Sequence, residues 1–161
     1  MKWSIITSFF LIVIGVKSNA QVVSPDPTFP SSQDNITLTF DATLGNKGLQ
    51  GFQGSVYAHT GLITDQSTSG SDWKYVQGMW GTNNAPLMTK ISENKYTINI
   101  GDIYAFYGAT KTEKILQIAI LFRSENGETT GRNADGSDIF VNLYDDGFYT
   151  QLASPTSNTI Y

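Results

Sequence analysis

The sequence predicts an all-β domain, an immunoglobulin-like antiparallel β-sandwich, and three observations predict it. Roughly seven short runs of alternating or fully apolar residues follow one another over about 110 residues, at the spacing of a sandwich. Between them lie turn residues: the chain holds 15 glycines, and an Asn126-Gly127 step forms the strongest short hairpin signal. Only Asp102 to Tyr107 reads as a helical turn.

The elements follow in order. Gln21 to Asp34 is polar, with Pro25, Pro27 and Pro30 so placed that neither a helix nor a central strand can form, and it reads as an extended lead-in. Asn35 to Asp41 alternates strictly, sending Ile36, Leu38 and Phe40 to one face and Thr37 and Thr39 to the other. A stretch carrying Gly45, Gly48, Gly51 and Gly54 leads into a second strand, Ser55 to His59, with Tyr57 and His59 on one face and Val56 and Ala58 on the other. Trp73 to Trp80 is rich in strand formers and is broken by Gly81 to Pro86. Lys95 to Ile100 alternates again, with Tyr96, Ile98 and Ile100 together, and Gly101 stops it.

Leu116 to Phe122 is apolar on both faces, as a covered central strand must be, with Leu116, Ile118, Ile120 and Phe122 on one side. Ile139 to Tyr144 supplies the closing strand. Asp145-Asp146-Gly147 then turns into Phe148 to Leu152, which reads as a frayed tail or as the first strand of a following module.

Size and composition bound the function. A complete (β/α)8 barrel enzyme needs about 250 residues, and this chain has 161. The absence of cysteine excludes a disulfide framework, a thiolate zinc site and a cysteine nucleophile. Aromatic residues at 12% beside charged residues at 15% describe a chain that buries ring surfaces or stacks on them.

Met1-Lys2, the apolar run Ile5 to Val16 and the small residues Ser18-Asn19-Ala20 make a secretory signal peptide cleaved after Ala20. The run is shorter than the roughly 20 residues that span a bilayer. The organisation expected is a signal peptide at 1–20, a Pro-rich lead-in at 21–34, a β-sandwich module at 35–146, and a linker or truncated second module at 147–161. The net charge of −4 becomes more negative once Lys2 and Lys17 are removed. A secreted, periplasmic or cell-surface domain so acidic, its few cations dispersed, is suited to neither nucleic acid nor an anionic membrane.

The acidic residues stand in turns beside Gly, Ser or Asn, where they serve the backbone, and no glycosidase pair stands out. A Ser-His-Asp triad has only His59 as base, and no nucleophile elbow accompanies it. Sugar binding has better candidates. Carbohydrate rings stack their CH faces on Trp and Tyr and offer hydroxyls to planar polar groups. Trp73, Tyr75, Trp80, Tyr57 and His59 supply the first, Arg132 and Asn133 the second. Of Trp73 and Trp80, one is expected in the core and one at least partly exposed, Trp80 beside the Asn83-Asn84 loop being the ring expected to face solvent. His59 reads first as a hydrogen-bonded edge-strand residue and second as a ligand contact. The loop Gly131 to Asp138 could offer calcium the oxygens of Asn133, Asp135 and Asp138, but it lacks the spacing of an EF-hand, and a side-chain-stabilised turn is the first reading.

Thr37 to Ala42, Val56 to Thr64, Asp72 to Val76, Trp80-Gly81, Ile118 to Arg123 and Gly131-Arg132 through Val141 together resemble the N-terminal module of secreted alpha-amylase-family glycoside hydrolases from Bacteroidetes. Through Tyr57-x-His59 and Trp80…Pro86…Met88 the chain is more distantly similar to starch-binding carbohydrate-binding modules. The resemblance implies an α-glucan platform on His59 and Trp80, with Trp73 or Tyr75 as a third member. It also implies a covalently linked catalytic domain after Tyr161. Where those modules carry a Trp-Asp-Asn-type run, this chain has Gly-Arg-Asn-Ala-Asp. The expected function is a non-catalytic accessory module of an exported hydrolase. A structural spacer without sugar binding and a free-standing extracellular hydrolase are the alternatives.

Overall fold

The computed structural model describes residues 21–144, so the signal segment at 1–20 and the expected linker or second module at 147–161 lie outside the described residues. Strands β1 (Val23–Asp26), β2 (Asn35–Asp41), β6 (Lys95–Asp102) and β5 (Thr89–Ser92) form one antiparallel sheet in the order β1-β2-β6-β5. The other runs β4 (Lys74–Gln77), β3 (Val56–Thr64), β7 (Ile115–Ser124), with β8 (Thr130–Gly131) and β9 (Ile139–Asn142) both on the far side of β7. This is the all-β sandwich of two antiparallel sheets that the alternating runs predict.

Alternation builds the core. Ile36, Leu38 and Phe40 of β2 and Tyr96, Ile98 and Ile100 of β6 face Val56, Ala58 and Leu62 of β3 and Ile118, Ile120 and Phe122 of β7, all buried. Phe40 stacks on Phe122 across the sheets with centroids 3.9 Å apart. The expected helical turn is α1 (Ile103–Tyr107), capped by the Asp102 carboxylate, which accepts from the Ala105 N–H, and closed by Gly108. Its Tyr107 hydroxyl meets Thr60 Oγ1 at 2.7 Å inside the sandwich, tying α1 to β3.

Four details differ from expectation. The lead-in is not merely extended, because Val23–Asp26 pairs with β2 from Val23↔Phe40 to Asp26↔Thr37. Proline is tolerated there because β1 is an edge strand. Leu116 does not join the core face: a bulge pairs Ile63 with Gln117 and Thr64 with Ile115, which turns Ile115 inward and leaves Leu116 38% exposed. Strand β5 is additional. All four of its residues are exposed, so it has no buried face to impose a hydrophobic pattern. Finally, the segment 73–80 holds a strand only at Lys74–Gln77, and that strand is bulged.

Candidate functional site

The outward face of the β3–β7 sheet carries a row of rings. Val56, Ala58, Thr60 and Leu62 turn inward on β3, so Tyr57, His59, Gly61 and Ile63 turn outward. On β7 the residues opposite are Arg123 to Tyr57, Leu121 to His59 and Ala119 to Gly61. Trp73, just before β4, Trp80, just after it, and Phe140 of β9, paired with Ala119, close over this face. Centroid distances are 5.2 Å from Trp80 to His59, 5.7 Å from His59 to Trp73 and 6.5 Å from Trp73 to Phe140. Trp80 stands at 89° to His59, whereas Trp73 is tilted from it by 32°. The rings therefore form a stepped corner rather than a flat plate. Gly61 makes room for Trp73, since a Cβ on it would lie 3.3 Å from the Trp73 Cβ and 2.9 Å from the Lys74 carbonyl oxygen.

Trp80 is 47% exposed yet held from several sides. Arg123, itself 0% exposed, donates from Nη1 to the carbonyls of Ser124 (3.0 Å) and Glu125 (2.7 Å), and from Nη2 to those of Met79 (3.0 Å) and Thr82 (2.7 Å). Met79 and Thr82 bracket Trp80, so the guanidinium staples the tryptophan loop to the end of β7. The same cation lies 5.5 Å from the centre of the Tyr57 ring and 5.7 Å from that of Trp80, within cation–π range of both. Gly127, at the tip of the β7–β8 hairpin, abuts the indole: with φ 76° it needs a glycine, and a Cβ there would lie 2.8 Å from Trp80 Nε1.

His59 is in the middle of this arrangement. Burial pushes its pKa below the usual 6.5, the Arg123 and Arg132 charges push the same way, and Asp138 opposes them. The imidazole is therefore neutral at pH 7, and its buried Nδ1 has no hydrogen-bond partner among the described residues.

The structure thus brings together His59, Trp80 and Trp73, and places Tyr75 elsewhere. In β3–β4 pairing Thr60 meets Gln77 and Leu62 meets Lys74, so Gly61 alone opposes Tyr75 and Val76. Tyr75 is the inserted residue, at φ 54°, and it packs against the core with its hydroxyl donating to Glu113 Oε1 at 2.6 Å. The expectation of one core tryptophan also fails. Trp73 covers the outward face, its Nε1 donating to the Gly70 carbonyl. Nor is His59 a hydrogen-bonded edge residue, because β3 lies between β4 and β7.

Arg132 lies at the margin, ion-paired with Asp138. Asp135 Oδ1 accepts from the Ser137 amide and hydroxyl, and Asn133 Nδ2 donates to Ser137 Oγ and the Asp138 carbonyl. The loop is built as a side-chain-stabilised turn, and a calcium ion would have to displace Arg132 and Ser137 from these oxygens. Arg123 and Phe140 also belong to this face, although neither is among the candidates the sequence offers. The signal for Arg123 was a cation ending an apolar strand; Phe140 gave none apart from its place in a strand.

No protein-family model matches the chain, and no curated protein matches it. Among the described residues no helix is long and apolar enough to cross a membrane.

Proposed function

We propose that the domain is a non-catalytic carbohydrate-binding module that holds α-glucan on the Trp80, His59 and Trp73 face, exported as the accessory of a covalently linked alpha-amylase-type glycoside hydrolase. The observation that carries this reading is Trp80, a half-exposed indole fixed by Arg123 and Gly127. A ring held in place before binding loses little freedom when a sugar stacks on it. The neutral His59 and the tilted Trp73 extend the apolar surface at an angle, which suits the curvature of an α-linked chain. Arg132 and Asp138 at the margin offer polar partners for hydroxyls.

Electrophoresis of the protein through gels containing starch or glycogen tests the reading. Retarded migration is expected, with free migration for Trp80→Ala; equal mobility of the two in every gel sinks it. The same preparations should release no reducing sugar from soluble starch, since the domain binds without cleaving.

A structural spacer is the second reading, and the observation in its favour is that Leu121, Ala119 and Ile63 are buried beneath the rings. On that reading Trp80→Ala lowers stability and changes no mobility. A pure spacer calls for both indoles buried, and the exposure of Trp80 weighs against it.

A further inference from the structure

We infer that the groove beside Trp80, between the segment around Phe52–Ser55 and the β7–β8 hairpin, is a second sugar subsite that takes the next units of the same α-glucan chain. The inference rests on the reading of Trp80 as a sugar platform. The groove measures about 490 Å³ and is lined by Phe52, Ser55, Glu125, Asn126, Glu128 and Thr129. It begins one residue from the ring: Gly81, which follows Trp80, forms part of its wall, and so do Asn126 and Glu128, the neighbours of the Gly127 that rests against the Trp80 indole.

Its chemistry selects the occupant. No Lys or Arg lines it, so nothing there attracts an anion. Glu125 and Glu128 are exposed and carry no ion pair among the described residues. Ionised carboxylates are acceptors only, matched to the hydroxyl donors of a neutral sugar. Asn126 Oδ1 is engaged by Ser124 Oγ at 2.7 Å and the Glu128 N–H at 3.2 Å, which fixes the turn, while its Nδ2 donor has no partner among the described residues. Phe52 adds an apolar ring, partly buried against the core and anchored where Tyr96 Oη donates to its carbonyl. The groove is open beside it because residue 54 is glycine: a Cβ there would lie 2.8 Å from the Phe52 ring. One aromatic surface flanked by acceptors and one amide donor is the composition of a sugar site.

Calorimetric titration with maltotriose and with maltoheptaose tests this on the wild type, on a Glu125→Ala/Glu128→Ala double variant, and on Trp80→Ala. Both glutamate side chains are exposed, so the double variant keeps the fold, which circular dichroism checks. The wild type should bind the longer oligosaccharide roughly five- to tenfold more tightly, the size of one or two added hydrogen bonds. The double variant should lose most of that gain and keep its affinity for maltotriose.

Equal affinity for the two sugars overturns the inference, as does a length gain that survives in the double variant; a groove made for a basic peptide gives the first of these results. Trp80→Ala separates the two readings. Maltotriose binding that depends on Trp80 without a length gain removes only the second subsite, whereas binding indifferent to Trp80, or none at all, removes the platform and the subsite with it.

Discussion

The Arg123 guanidinium is 0% exposed and has no ion pair among the described residues; four carbonyl oxygens and two ring faces stand in for a counter-ion. Removing the donors leaves those carbonyls without them, so Arg123→Met should lower unfolding stability by about 3 kcal/mol or more in denaturant titrations. Arg123→Lys should recover only part of the loss, because an ammonium cannot span both pairs of carbonyls. If the domain holds glucan as proposed, both variants should bind it less well even where the protein remains folded, since the Trp80 loop is released. His59 makes a pH prediction. Its folded pKa lies below 6.5, so the unfolded chain binds the proton first as pH falls. Stability is complete above that value and is lost on acidification through the depressed folded pKa. Denaturant curves at neutral pH and at about pH 5 should show a steeper loss for the wild type than for His59→Gln; parallel losses would discount the effect. The ring types of this site were legible in the sequence, but their shared face was not, since Tyr75 was counted with them and one indole was expected in the core. Arg123 was not, because only the pairing with Tyr57 and the return of the 79–82 loop reveal what its donors meet.

Among the elements, β4 decides which aromatic residues share a face. Strict alternation puts Trp73 and Tyr75 side by side, and the bulge at Gly61 separates them. A tyrosine at φ 54° carries a strain of roughly 1–3 kcal/mol, which its surroundings must hold. The hydroxyl bond to Glu113 is one such hold. Tyr75→Phe should therefore lower stability by about 1 kcal/mol and, on the proposed function, leave retardation in glucan gels unchanged; a loss of retardation would return Tyr75 to the proposed binding face. The strands with one buried face, β2 and β6, were legible residue by residue, since each inward position is apolar. β5 and the bulges were not. An edge strand exposed along its length has no pattern to read, and a bulge is fixed by partners distant in sequence.

At the scale of the whole molecule, two sheets leave four edges among the described residues. β5 is four residues long and carries Lys90, β4 is short and bulged, and on the far side of β7 the pairing is divided between β8 and β9. The remaining edge is β1, with Pro25 inside the strand and Pro27 just after it. Proline has no N–H, so this row of donors is incomplete, and a foreign strand that docks along it finds a gap. Pro25→Val should hasten heat-induced aggregation measured by light scattering; unchanged kinetics would show that the edge is protected in another way. The proline-rich lead-in thus does more than close a sheet. It leaves copies of the domain that meet at high concentration without a complete donor row along which to knit into one continuous ribbon.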